Sequence, residues 1–172
     1  MKENYKILVI NIGSTSTKIA IYEDNLPIIE QVFRHSNNTL DTLLTIEDQY
    51  SFRKKIILDF ITENGIILES LHGIVGRGGL LKPIEGGTYI VNDQMVEDLK
   101  IGKWGQHPVN LSGIISAEIG DKHNIPVFMV DPIVVDELDD IARVSGHPLI
   151  ERISVFHALN QRANAKKVAA QM

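Results

Sequence analysis

Between residues 6 and 34 the hydrophobic positions fall in three short runs rich in β-branched residues, separated by turn formers, which is the pattern of consecutive strands. The runs predict strands over 6–12, 17–23 and 27–34. Asp24 and Asn25 tolerate tight-turn backbone angles. Connections this short imply antiparallel pairing, because parallel neighbours need a long crossover. The period then changes. Phe52, Ile56, Leu58, Phe60 and Ile61 recur near helical spacing among charges, predicting a helix over about 46–63 that stops at Asn64 and Gly65. A fourth strand is expected over 72–75, followed by the glycine-rich stretch Gly76-Arg77-Gly78-Gly79. The stretch GGTYIVND reads as a short excursion strand feeding an amphipathic turn around Met95–Leu99. Pro108 suits a first helical position ahead of Val109, Leu111, Ile114, Ile115 and Ile119. PVFMVD is a fifth strand ending at Asp131-Pro132, and helical material is expected from Val134 to Met172 with a break at residues 145–148.

The order is β-β-β-α-β-α-β-α: three antiparallel strands, then strand–helix units whose strands should run parallel to the first. That is a ribonuclease-H-like (actin-like) α/β domain on a mixed five-stranded sheet, filling 1–172. The chain has 172 residues, 44% of them hydrophobic, and a net charge of −5. It carries no basic face of the kind that nucleic acid or an anionic membrane surface would require. Without cysteine, neither a disulfide framework nor a thiolate metal site can form. The charged Lys2 and Glu3 and the short apolar run after them do not make an export signal, and no stretch approaches the ~18 apolar residues of a membrane span. A cytoplasmic protein is the expectation.

The candidate chemistry lies at strand ends. In ILVINIGSTSTK (7–18) a strand runs into Asn11, Gly13, Ser14, Ser16 and Lys18. No glycine precedes the lysine and no helix follows, so this is not the nucleotide-binding P-loop. Two readings stay open: a polar hairpin whose hydroxyls satisfy their own backbone, or a phosphate cradle with Asn11 facing Mg²⁺ or its waters. Arg77, emerging after a parallel strand, suits a carboxylate or phosphate, or is a solvated arginine in a glycine turn. His107 precedes a helix start, where an anion is favoured, yet a cap is the plainer role. Asp131 can be a base or metal partner, or simply start a turn before Pro132. His157 opens the last helix. Asp136, Glu137, Asp139 and Asp140 read as a solvated helix face, and Trp104 as a packing residue.

Taken together, VINIGSTSTK, GIVGRGGLLKPIEGG, GQHPVNLSGIIS, FMVDP and VFHALNQRA resemble the butyrate kinase branch of the acetate kinase family, over residues 6–172. One departure is Ile12, where that branch carries proline. The resemblance implies ATP- and Mg²⁺-dependent phosphorylation of a short-chain or branched-chain fatty acid to its acyl phosphate, and the reverse reaction. By position, Asn11 and Asp131 match residues at the metal, Ser14, Ser16 and Lys18 the phosphate loop with Gly13, Asp131 a catalytic aspartate, and His157 a histidine that stabilises the transferring phosphoryl group. His107 falls where acetate kinases place an active-site histidine. Aligned on Gly78 and Gly79, Ile74 takes the place of their substrate arginine and Arg77 that of a histidine, so Arg77 either replaces that arginine from a neighbouring position or does something else. Gly76 takes the place of an acyl-pocket valine, which would make room for a longer acyl tail beside Arg77 and Gly78.

Family members are about twice as long, are oligomers, and carry a second, nucleotide-binding domain. The expectation is therefore that 1–172 is an amino-terminal domain, inactive by itself, of a homo-oligomeric enzyme. The last helix stops at Met172 without a capping residue, which agrees with a truncation. The rival readings are an acetate or propionate kinase, or a non-catalytic module that binds a carboxylate or phosphate.

Overall fold

A single mixed sheet, in the order β3-β2-β1-β4-β6-β5, organises the computed structural model, which describes residues 4–43 and 45–172. Lys2 and Glu3, read above for an export signal, lie outside the described residues. β1 (Lys6–Ile12), β2 (Ser16–Glu23) and β3 (Leu26–Arg34) form the antiparallel meander. β4 (Gly73–Arg77) runs parallel to β1, and β6 (Val127–Val130) parallel to β4. The sixth strand is β5 (Thr88–Ile90), the excursion in GGTYIVND, which pairs antiparallel with β6 and so adds an edge to the five expected strands. Its Thr88 and Ile90 are exposed, so it carries no burial pattern from which sheet membership could be read.

The faces of the sheet follow from the two-residue period of a strand. Leu8, Ile10 and Ile12 of β1, Ile74 of β4 and Met129 of β6 are buried towards the helices. Two long helices cover this face: α2 (Ile46–Glu63) and α4 (Asn110–His123), with α3 (Asp93–Ile101) against α4. Thr45 and Asp48 close a capping box that starts α2. Ten of the fourteen residues of α4 are buried, so it is the central helix and shows little amphipathic periodicity. It begins at Asn110, after a turn through Pro108 rather than at the proline, as three successive i→i+3 bonds from His107, Pro108 and Val109 record. A one-turn helix, α1 (Asn37–Leu40), follows β3.

β4 extends through Gly76 and Arg77, two residues beyond the expected strand, because the glycine lets α4 approach. A Cβ at Gly76 would stand 3.0 Å from the Ser112 carbonyl oxygen, so the helix backbone lies directly on the strand there. Gly78, at φ +97, would place a Cβ 2.2 Å from Val109 Cγ2.

After β6 the chain is less helical than its composition suggested. Only α5 (Asp140–Arg143) and α6 (Ala158–Ala169) are regular. Val135 instead bridges to Ile84 beside the sheet. The carboxylate of Asp136 accepts two bonds from Arg143 and one from the Leu138 N–H, which ties the segment into a loop. The Asp136 side chain is therefore covered and paired, not part of a solvated acidic face, and Arg143 holds its pKa down at about 2. Glu137 likewise pairs with Arg162 of α6 and accepts from the Gly86 N–H.

Gly76→Ala should destabilise the chain by ~1–3 kcal/mol through overpacking. Gly78→Ala should cost more, because the collision adds to a left-handed backbone that alanine adopts poorly. Urea denaturation of the two variants gives the order.

Candidate functional site

The turn that joins β1 to β2 is held from below. The Gly13 N–H donates to the Ser16 carbonyl at 2.9 Å, closing the turn around Ser14 and Thr15. Beneath it lies Arg53 of α2, with no exposed surface. Its guanidinium donates to the carbonyls of Ser14 and Ser16, both at 2.9 Å, and to Thr17 Oγ1 at 3.0 Å, while Gln49 accepts from its Nε and Nη2. Burial lowers the Arg53 pKa to about 10, so the group stays cationic at neutral pH. All its partners are neutral. Its charge is thus spent on orienting a loop, not on an ion pair.

Two histidines flank the loop. His35 donates its backbone N–H to the Thr15 carbonyl and brings Nε2 to 3.0 Å from Thr17 Oγ1. His107 accepts the Val109 N–H on Nδ1 at 3.1 Å, so in the neutral ring the proton sits on Nε2, which faces Ser14 Oγ at 3.3 Å. Both rings have lowered pKa values, first from burial and then from the charge of Arg53. Asn110 fixes the loop that carries His107: it accepts from the Leu80 N–H at 2.8 Å and donates to the Gly105 carbonyl at 2.9 Å.

A second cluster stands at the ends of β4 and β6. Asp131, 4% exposed and at φ 51, accepts from Arg77 Nη2 on Oδ2 at 3.0 Å and from the Leu159 N–H on Oδ1 at 3.1 Å. His157 precedes α6 and turns Nδ1 to the carbonyl and carboxylate oxygens of Asp131, both at 3.2 Å, which leaves Nε2 for a ligand. The left-handed backbone of Asp131 is one that aspartate tolerates better than branched residues do.

The register joins the clusters. Asn11 pairs with Lys18 on one side and Arg77 on the other, on the sheet face away from α2 and α4. A cleft of about 420 Å³ lies over that face, lined by Asn11, Lys18, Glu30, Arg77 and Asn160 among others. Lys18 is held at 3.1 Å by Glu30 of β3. Asn11, Lys18, Arg77, Asp131 and His157 thus gather at the carboxyl end of the parallel strands, with Ser14 and His107 beside them.

Gly76 and Gly78 do not. Both face α4, and the room that Gly76 was expected to leave for an acyl tail is filled by the backbone of Ser112 and Gly113. The sequence reading also missed Arg53, His35, Gln49, Asn110 and Glu30. Arg53 had a signal: it stands four, seven and eight residues before the buried Ile57, Phe60 and Ile61, in phase with the apolar stripe of α2. Trp104 lies half exposed, against Lys103, rather than in the core.

No protein-family model matches the chain. Curated relatives do. It is 56% identical over 164 residues to a probable butyrate kinase of Clostridium botulinum strain Eklund 17B, covering 95% of this chain and 46% of that one. It is 54% identical over 168 residues to butyrate kinase 1 of Clostridium acetobutylicum, covering 98% and 47%. The chain spans about half the length of the curated relatives it matches. Among solved structures, Porphyromonas gingivalis acetate kinase superposes with TM-score 0.61 at 14% identity, over 96% of this chain and 49% of that one. A Francisella tularensis propionate kinase gives 0.55 at 15% identity, over 96% and 48%. At such identities these matches speak for the fold alone, and that fold is the actin-like, ribonuclease-H-like one.

Two outcomes follow from the geometry. Arg77→Met leaves the buried Asp131 without its guanidinium and should cost ~3 kcal/mol of stability in urea denaturation. His35 and His107 favour their neutral forms in the folded chain, so stability should fall as pH drops from 6.5, the usual histidine value, through their lowered values. The double variant His35→Gln/His107→Gln should flatten that slope in thermal melts; an unchanged slope would exclude these rings as its source. In sequence, over nearly its whole length, the chain is similar to the amino-terminal half of butyrate kinases, and its fold is similar to that of acetate and propionate kinases.

Proposed function

We propose that the chain supplies one wall of the active site of a carboxylate kinase, which transfers the γ-phosphoryl group of ATP to a short-chain or branched-chain fatty acid of the butyrate type and runs the reverse, ATP-forming reaction. The observation that carries this reading is the meeting of a loop over a buried arginine, bonded only to neutral oxygens among the described residues, with Arg77, Asp131 and His157 at one sheet end. The likeness to butyrate kinases supplies the acid; Gly76 no longer does.

Carboxylate and triphosphate are both anions, so the site must offset their repulsion. In this proposal Ser14, Ser16 and the loop amides hold phosphate oxygens, with Lys18 adding charge from the cleft. Arg77 binds the carboxylate or the transferring group, and Asp131 fixes its guanidinium. His157 presents Nε2 to the phosphoryl oxygens, and His107, neutral with its proton on Nε2, donates a hydrogen bond. The acid is already ionised at neutral pH, so no base has to deprotonate it.

Magnesium fits the donor type but not as a caged ion. Among the described residues no three acidic, histidine or cysteine groups form a cation cluster. Magnesium takes one or two carboxylates together with phosphates and waters. Asn11 and Asp131 would be its protein contacts, shielding the charge of the phosphates, although the Asp131 oxygens already accept from Arg77 and Leu159.

The reading further places the adenosine site and the second wall outside these 172 residues, in a cytoplasmic, homo-oligomeric protein of about the relatives' length. An acyl-hydroxamate assay with butyrate and ATP tests it. The 172-residue chain should show little or no turnover, and a protein of the relatives' length should be active. In that longer protein, His157→Ala should lower kcat by ~10²–10³-fold. Full activity of the 172-residue chain would overturn the two-wall reading, and a strong preference for acetate would overturn the assigned acid.

A further inference from the structure

The phosphate reading leaves open what makes a Ser/Thr hairpin turn its donors outward. Hydroxyls and amides of such a turn satisfy one another readily. Here the inward side is taken. The carbonyls of Ser14 and Ser16 point at the Arg53 guanidinium, and Thr17 Oγ1 accepts from the same Nη1 that serves Ser16. The described peptide bonds are all trans, so the N–H of each peptide points opposite its carbonyl. The Ser14 carbonyl faces inward, and the Thr15 N–H is therefore directed away from Arg53. Neither the Ser14 nor the Thr15 N–H has a hydrogen-bond partner among the described residues.

The charge points the same way. No carboxylate among the described residues pairs with Arg53. The next residue, Lys54, is turned to Glu118 and Tyr50 on another side of α2. A buried cation bonded only to neutral oxygens is expensive unless a counter-charge comes near. The turn separates it from the outside by a single layer of peptide.

We propose that Arg53 is a positioning residue for the anion site: its fork across the Ser14 and Ser16 carbonyls aims the Thr15 N–H outward, and its charge, felt through the turn, attracts the phosphate that this N–H receives. This rests on the phosphate reading of the loop. Arg53 touches no substrate. Lysine cannot replace it, because an ammonium carries the charge without the planar fork.

The test titrates the isotope-labelled chain with sodium tripolyphosphate and follows the amide signals of Ser14 and Thr15 by NMR. In the unaltered chain these signals should move and saturate. In Arg53→Gln and Arg53→Lys the affinity should fall by ~tenfold or more, the loss expected for a charge-assisted contact. Core signals such as that of Ile115 should stay in place, which a general loss of structure would not allow. If Arg53→Gln fails to fold, Arg53→Lys, which retains stem and charge, decides alone. Unaltered affinity in Arg53→Lys would overturn the fork. Absence of any loop response in the unaltered chain would overturn the phosphate reading and this proposal together, whereas full binding by both variants would overturn only the role of Arg53.

Discussion

A guanidinium buried beneath the four-residue turn Gly13–Ser16 is the interaction on which the site depends. Arg53 bonds two main-chain carbonyls and a threonine hydroxyl of the β1–β2 connection, and Gln49, one helical turn earlier, steadies it from the side. Helix α2 is thereby attached to the sheet at its functional end by directional bonds as well as by Ile57, Phe60 and Ile61. The arrangement is costly as a stabilising device, since burial alone lowers the arginine's pKa to about 10. Buried charge of this kind is weak support for a fold and better explained by what it orients.

The two sheet faces divide the labour. One is covered by α4, whose approach to β4 is permitted by Gly76 and Gly78, and at Gly76 the helix backbone fills the space a side chain would take. The other carries Asn11, Lys18 and Arg77 side by side on neighbouring strands and opens on the cleft. In the glycine-rich stretch Gly76 and Gly78 thus face α4, while Arg77 between them faces the cleft. Asp131 links the strand ends to α6 by accepting from Arg77 and Leu159 at once. The neutral tautomer of His107 is likewise fixed from the main chain, through the Val109 N–H.

A comparable groove of about 460 Å³ between α2, α3 and α4 is lined mainly by Ile46, Val96, Leu111, Ile114 and Ala117. It gathers none of the strand-end residues, and its polar rim is partly spent on the Lys54–Glu118 pair. Volume alone does not distinguish the two; only the cleft at the strand ends gathers converging polar groups.

Local pattern was enough for the meander, for α2 to the residue, and for the fold class, because each rests on periodicity and turn chemistry within a few residues. It was enough, too, to single out Asn11, Ser14, Lys18, Arg77, His107, Asp131 and His157 as candidates, since each stands at or near an element's end. Tertiary structure alone decided which of them meet and what holds them. Arg53 meets Ser14 across 39 residues and Arg77 meets Asp131 across 54, distances over which no spacing rule operates. It also decided that Gly76 faces a helix and that β5 joins the sheet. Both outcomes turn on which element packs on which face. A period along one strand shows that two faces exist, and only the packed neighbours determine which of them is open.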